Sequence, residues 1–297
     1  MKLLHPQNWN DYELIDSGDF EKLERFGNYI LTRPEPQAVW NKSLPNREWE
    51  KLSNAFFRKE KNDPEKGKWS LKNGMPEQWY INYSYQKMTF KMRLGLTGFK
   101  HVGVFPEQSE NWDYIYTHTQ EIKSTDNASD KPKVLNLFAY TGGASLAALA
   151  AGAEVVHVDS VKPVLSWARE NMEASDMNGI RWILEDALKF VQREVRRGNT
   201  YQGIILDPPA YGRGADGEKW VLEDSINEMM RLCNQLLAPK NSFLILNLYS
   251  IGFSALIAEN LITTNFEDTG DLEIGELYIP DQHKKKLPLG VFARMRR

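Results

Sequence analysis

Four short apolar runs, each ending on a polar residue or cluster and each leading into a helical pattern, constrain this chain more than any other feature. The strands are expected at 134–138, 154–159, 180–185 and 202–207, with helices at 143–151, 161–174 and 187–197 between them. Val134-Leu-Asn-Leu-Phe138 is typical: a short, nearly continuous apolar run suits a parallel strand covered on both faces. Successive strand–helix units close by right-handed crossovers, which predicts an α/β, Rossmann-like, doubly wound sheet. Further on, a helix at 223–237, a strand at 242–248, a helix at 253–262 and a final pair of alternating segments at 272–279 and 289–295 extend the pattern.

The strand ends carry the polar chemistry. After the first come Thr141, Gly142 and Gly143, which let the backbone turn tightly and approach a ligand while the next helix aims free N–H groups at the same spot. The second ends at Asp159, the third at Glu185-Asp186, and the fourth at Asp207-Pro208-Pro209. A single strand-end Asp is ordinarily a helix N-cap, and a lone glycine pair a turn. All of them together are expected to converge on one crevice, because ligands of open parallel sheets sit beyond the carboxyl ends of the strands. Ala139 to Ala144 lacks the Gly-x-Gly-x-x-Gly pattern of a dinucleotide site, which counts against a dehydrogenase.

Residues 1–120 differ in texture and are expected to form a β-rich N-terminal domain, with 121–297 as the second domain. Six of the nine tryptophans lie in the first part, and Tyr12–Ile15, Asn28–Thr32, Gln78–Tyr85 and Lys87–Leu94 read as strands, the last two turning around Gln86. Within 41–72, cations such as Lys42, Arg58, Lys68 and Lys72 are interleaved with Trp49, Phe56, Phe57 and Trp69. That mixture suits single-stranded RNA, yet a solvated helix and loop over an aromatic core face explains it as well. Polar residues 120–133 read as a linker. A net charge of -3 and a pI near 6.0 mean that any RNA contact relies on local patches. The single cysteine, Cys233, excludes an internal disulfide and fits a reducing cytoplasm. Met1 to Pro6 has no apolar leader core, and no run approaches the roughly 18 apolar residues of a membrane span, so a cytoplasmic location without membrane contact is expected.

From about Gly95 to Arg297 the chain resembles the class I S-adenosylmethionine-dependent methyltransferases, in particular the bacterial large-subunit rRNA methyltransferase group. The resemblance rests on Asn136-Leu-Phe-Ala-Tyr-Thr-Gly-Gly143, Asp207-Pro-Pro209, Gly98-Phe-Lys-His-Val-Gly-Val-Phe-Pro-Glu-Gln108, Asp159-Ser160 and Trp167-Ala-Arg-Glu-Asn171. It implies a seven-stranded sheet and S-adenosylmethionine as cofactor, with no metal. By the same resemblance, Phe105, Glu107 and Gln108 fold over the cofactor site. Gly142 and Gly143 pass beside the amino acid part, Asp159 holds the ribose hydroxyls and Asp186 accepts from the adenine amine, with Phe138, Tyr140, Thr141, Ser160 and Ala187 also among the cofactor-binding residues. Asp207 faces the methyl group. With Pro208 and Pro209 it receives the target, on which Tyr211 stacks once the base is flipped out. The implied partner is RNA, chiefly rRNA, and the enzyme is expected to be a monomer or homodimer.

Departures from the group narrow the chemistry. Carbon-5 methylation of a pyrimidine needs a cysteine thiolate, but Asn247-Leu-Tyr-Ser250 replaces the Ser-Cys pair of the cytosine-type members. Cys233 falls on the helical stripe of Leu222, Ile226, Met229 and Leu236, where an inert core thiol is expected. A base nitrogen is therefore the predicted nucleophile, although Tyr211 stands one place later than the aromatic of the adenine-N6 motif. Methylation of a protein or small molecule, or cofactor binding without turnover, remain as alternatives. Gly212–Trp220, within the loop 208–222, reads as a glycine-rich lid offering Arg213 and Lys219 to phosphate, or as a plain flexible connection; His283-Lys-Lys-Lys286 together with Arg294, Arg296 and Arg297 reads as a second basic patch or as a solvated turn and tail.

Overall fold

The computed structural model describes all residues except 8, 61–65, 126–130, 215–216 and 250–251, with 125 and 213 described for their backbone only. The chain forms two compact units, one of Met1–Leu4, Gln108–Leu277 and Gly290–Arg297, the other of His5–Glu107 and Tyr278–Leu289. The division thus falls at 107/108 rather than at the expected 120/121, and a C-terminal segment joins the N-terminal unit. The lead strand of the chain, β1 (Lys2–Leu4), belongs to the larger unit.

The smaller unit is β-rich. It contains β2 (Tyr12–Gly18), β3 (Glu21–Phe26), β4 (Tyr29–Pro34), the helix α1 (Asn46–Leu52), β5 (Ala55–Lys59) and β6 (Gly67–Leu71), whose strands form one sheet in the order β2-β3-β4-β5-β6. β7 (Gln78–Tyr85) and β8 (Met88–Gly95) form a separate antiparallel ribbon. Its period of two is strict: Trp79, Ile81 and Tyr83 are buried on one strand and Met88, Phe90, Met92 and Leu94 on the other. Gln86 closes the turn with φ 52.

Buried charge ties this unit together. Asp16, fully buried, accepts hydrogen bonds from the backbone N–H groups of Ser43 and Leu44, the Trp49 indole and Lys285 Nζ. These donors hold its pKa below the usual value against the opposing effect of burial. The two mixed basic stretches are therefore partly internal. Trp49 and Phe57 are core residues, Lys42 pairs with Glu21 and lies 4.1 Å over the Trp49 ring, and Lys285 is spent on Asp16 and Asp281. Arg58, Lys59 and Lys68 stay exposed on β5–β6, while Lys61 lies outside the described residues.

The larger unit opens with α2 (Ser109–Thr125), which occupies residues expected to straddle a domain end and a linker. Then follow β9 (Lys133–Leu137), α3 (Gly143–Ala150), β10 (Glu154–Asp159), α4 (Lys162–Ala174), β11 (Ile180–Leu184), α5 (Ala187–Arg196) and β12 (Gly203–Leu206). Next come β13 (Tyr211–Arg213), β14 (Lys219–Val221), α6 (Leu222–Leu236), β15 (Phe243–Leu248), α7 (Ala255–Asn265), β16 (Asp271–Pro280) and β17 (Lys286–Arg296). The main sheet has the order β1-β16-β17-β15-β12-β9-β10-β11, parallel from β15 through β11, with β17 antiparallel to β15. The expected seven strands are joined by an eighth, because Lys2–Leu4 adds in parallel beside β16. The predicted lid also differs: 211–213 and 219–221 form a two-stranded ribbon, pinned by buried Trp220, whose indole N–H donates to the Pro209 carbonyl at 2.7 Å.

Candidate active site

From β9 the chain proceeds to β10 on one side and to β12 on the other, which makes the β9/β12 boundary the switch point where open α/β sheets bind ligands. The register lines up the strand ends there. Leu137 lies opposite Val158 and Leu206, and Leu206 opposite Leu246, so Phe138, Asp159, Asp207 and Asn247 follow at one level. Four residues that are far apart in sequence thereby share one edge.

The turn after β9 is strained. Phe138 and Tyr140 both have positive φ, 55 and 50, and Gly142 has φ 89. Bulky residues in the left-handed region cost about 1–3 kcal/mol each and persist only where their surroundings impose them. Here the clamps are visible: Asp159 Oδ2 accepts from Tyr140 N at 2.9 Å, Val158 O from Ala139 N at 3.1 Å, and Thr141 O from the buried Asn171 amide at 2.9 Å. That last bond gives Asn171 of the Trp167–Asn171 stretch a physical role. Phe138 is packed 4.7 Å from the Trp220 ring.

Below the turn lies a polar chain sealed in the core. Asn136 Nδ2 donates to Ser145 Oγ at 2.9 Å, and Ser145 Oγ is 3.0 Å from His157 Nδ1. Burial drives the His157 pKa down to about 3 against the opposing effect of a hydrogen bond with the Tyr140 backbone, so the ring is neutral. A Cβ on Gly142 would come within 3.3 Å of Ala168 and 3.5 Å of that ring, while a Cβ on Gly143 would stand 2.5 Å from the Trp112 ring of α2. Among the described residues no side chain caps α3, so its first N–H groups are available at its start. Both glycines thus let the turn pack closely on the protein's own side chains, and the helix start beside them offers N–H groups of the kind that suit an anionic group.

The acidic residues divide by environment. Asp159 accepts from the backbone N–H groups of Tyr140 and Val161, with Ser160 N beside it, and burial raises its pKa despite those bonds. Asp186 is a helix cap in fact, accepting from Lys189 N at 3.0 Å through one carboxylate oxygen, with no hydrogen bond to the other among the described residues. Ala187 is buried at the start of α5, and Ser160 follows β10 half-buried. Asp207 stands apart: burial alone pushes its pKa up to about 7. Pro208 is buried beside it, Pro209 is exposed, and Tyr211 is 51% exposed two residues further on.

Gln108 and Asn247 were not expected to meet, yet Asn247 Nδ2 donates to Gln108 Oε1 at 3.1 Å, and Asn111 bonds both. No spacing in the sequence signals this cluster, since its members lie on the turn before α2, on α2 itself and on β15. Phe105 and Glu107 belong to the smaller unit, where Phe105 packs against His101. Cys233 is fully buried on α6, with its thiol pKa driven up by burial. A hollow of about 270 Å³ lined by His118, Phe243 and Arg296 lies at the start of β15 and the end of β17, the opposite edge of the sheet. Among the described residues no group of three or more His, Cys, Asp or Glu side chains could hold a metal ion, and no helix is long and apolar enough to cross a membrane.

Comparison with known proteins places these features in a family. A family model described as S-adenosylmethionine-dependent methyltransferase matches residues 90–266, more than half of the chain. A crystal structure of a SAM-dependent methyltransferase from Agrobacterium tumefaciens is 38% identical, with a TM-score of 0.90, covering 100% of this chain and 93% of that one. SMU.776, solved in complex with SAH, shares the fold at TM-score 0.71 and 17% identity, over 97% of this chain and 76% of that one. Among curated relatives, ribosomal RNA large subunit methyltransferase K/L of Shewanella frigidimarina is 27% identical over 60% of this chain and 24% of its own length. Ribosomal RNA large subunit methyltransferase I of Aeromonas salmonicida is 36% identical over 36% of this chain and 28% of its own. The matches thus span about a quarter of the length of those relatives. With a family model matched over more than half of its length and a solved relative 38% identical over its whole length, this chain belongs to the S-adenosylmethionine-dependent methyltransferase family.

Proposed function

We propose that the chain methylates RNA, in particular large-subunit rRNA, at a base nitrogen. The observation that carries this reading is Asp207: a carboxyl at the switch point, lifted to about 7 by burial, beside a rigid Pro-Pro and an exposed Tyr211. A group with that pKa can accept a proton near neutrality. It suits an amino or imino nitrogen, whose N–H the carboxylate holds while the nitrogen lone pair is aimed at the donor.

S-adenosylmethionine, when bound, supplies a methyl group already made electrophilic by its sulfonium. The chain's own residues do the rest. The Thr141–Gly143 turn and the start of α3 hold the donor's amino acid end, Asp159 and Ser160 its ribose, and Asp186 and Ala187 its adenine. Tyr211 offers a stacking face for a flipped base. Burial of Cys233 supports nitrogen over carbon-5 as nucleophile, because a thiol with no access to a base cannot add to it. The names of the rRNA methyltransferase relatives support the RNA substrate.

The smaller unit would recognise the RNA. On its β5–β6 edge Arg58 lies directly opposite Lys68, both exposed and without an acidic partner among the described residues. Like charges facing each other across a strand pair are unfavourable on their own, and a phosphate would relieve them.

Transfer of labelled methyl from S-adenosylmethionine to RNA, protein and small-molecule fractions of cells lacking the gene tests the reading. Label in RNA that disappears with Asp207→Ala, on a nitrogen-methylated nucleoside, is expected. Label confined to protein or small molecules overturns the RNA assignment, a carbon-5 product overturns the nitrogen, and donor binding without any transfer favours a binding protein.

A further inference from the structure

At the carboxyl edge of the sheet, three amides and one guanidinium form a closed buried network. Arg294 Nε donates to Asn111 Oδ1 at 2.7 Å. Asn111 Nδ2 donates to Gln108 Oε1 at 2.7 Å and to Asn247 Oδ1 at 2.8 Å, and Asn247 Nδ2 donates to Gln108 Oε1 at 3.1 Å. Arg294, Asn111 and Asn247 are no more than 4% exposed, whereas Gln108 is half-buried. The guanidinium is packed 4.9 Å from the Tyr114 ring and 4.6 Å from the Phe292 ring.

An amide can present either its oxygen or its NH2 to a neighbour, and both faces have nearly the same shape. A guanidinium has no such freedom: it only donates. Asn111 must therefore turn its oxygen to Arg294 and its NH2 inward. Gln108 and Asn247 must in turn offer their oxygens to that NH2. The orientation of all three amides follows from one charge.

Its consequence is chemical polarity at the site. Gln108 Oε1 is saturated with two hydrogen bonds, and its Nε2 has no partner among the described residues. Asn247 has one amide hydrogen left, next to Asp207 in register. α2, which carries Asn111 and directly follows Gln108, also places Trp112 against Gly143, so the network lies between the glycine turn and the end of β15. The group exposed toward the edge is thus a donor and selects for an acceptor. The donor molecule's methionyl end has one ammonium and one carboxylate, and only the carboxylate is an acceptor.

We propose that Arg294 is a positioning residue that acts through Asn111 to lock Gln108 and Asn247 with their N–H groups facing the carboxylate of S-adenosylmethionine. This rests on the placement of the donor at the carboxyl edge proposed above. Without Arg294 the amides can flip together, and oxygens would face the carboxylate.

Titration calorimetry with S-adenosylmethionine, its decarboxylated form and 5′-methylthioadenosine tests this on the full chain. Arg294→Met is expected to weaken S-adenosylmethionine about tenfold, the size of one hydrogen bond to a charged group. It should leave methylthioadenosine within about twofold, and Arg294→Lys should restore the loss. Asn111→Asp keeps Arg294 paired but offers only acceptors inward, so it should give the same loss with an unchanged or higher melting temperature. Equal weakening of all three ligands, or full affinity in folded Asn111→Asp, overturns the proposal, as does wild-type binding of the decarboxylated form as tight as that of S-adenosylmethionine. Asp159→Ala distinguishes a misplaced donor: if it leaves methylthioadenosine binding untouched, the site itself is wrong and the positioning role goes with it.

Discussion

Replacing Asp207 with asparagine should stabilise the protein while disabling it. The folded pKa of about 7 against an ordinary 3.8 corresponds to about three pH units, or at most about 4 kcal/mol of folding free energy at full burial. Because Asp207 keeps a partly open face, solvent screening reduces this to roughly 1–3 kcal/mol. The sign is set by the raised pKa. The protonated carboxyl's contribution is complete below pH 3.8 and is lost as the pH rises to about 7, above which the fold carries the whole cost of a buried anion. Asparagine keeps the shape and never ionises. Urea unfolding of wild type and Asp207→Asn near pH 5 and near pH 8 should show the variant's advantage growing by about 1–2 kcal/mol between the two. Methyl transfer by the variant should fall by about 10²–10⁴ as the proton acceptor is lost. An advantage that does not change with pH would refute the buried-charge assignment, and transfer at the wild-type rate would refute the carboxyl's role.

Gly143→Ala should drive a methyl into the Trp112 ring, cost about 1–3 kcal/mol and abolish S-adenosylmethionine binding in calorimetry. Unimpaired binding would mean that the turn does not approach the donor. Arg58→Glu with Lys68→Glu should weaken RNA binding and flatten its salt dependence while leaving S-adenosylmethionine affinity unchanged; a filter-binding titration over a salt series reads both. Cys233→Ala should retain full transfer activity and lose about 1 kcal/mol in urea unfolding from the small cavity left in the core, and loss of activity in the folded variant would reopen thiolate chemistry.

Much of the site was legible because its signals are local. A strand end, a glycine pair and an Asp-Pro-Pro are contiguous in the chain, and the parallel register only had to bring them level. The elements that escaped are of another kind. Lys2–Leu4 is a strand because β16 offers an edge, and three residues carry no period of their own. The 211–213 and 219–221 ribbon depends on Trp220 reaching the Pro209 carbonyl. α2 has a mostly polar sequence, and its inward-facing Trp112, Ile115, Tyr116 and Thr119 define a face only once α3 and the sheet are beside it. Likewise the aromatic stretch 41–72 contained both a core and a basic edge, and composition could not say which side chain belonged to which.

Sequence by itself determined the order of strands and helices, the family, the acidic positions at the crevice and the lack of a cysteine after β15. Each is a matter of residue type and spacing along one backbone, where hydrophobic period and turn chemistry act between near neighbours. Tertiary structure alone decided that Asp207 is held near neutrality while Asp159 and Asp186 are bonded to backbone N–H groups. It also decided that Lys285 faces Asp16 and that Arg294 of β17 donates to Asn111 of α2. Those properties depend on burial and on hydrogen bonds between residues far apart in the chain, so they exist only once the fold has excluded water and set their distances.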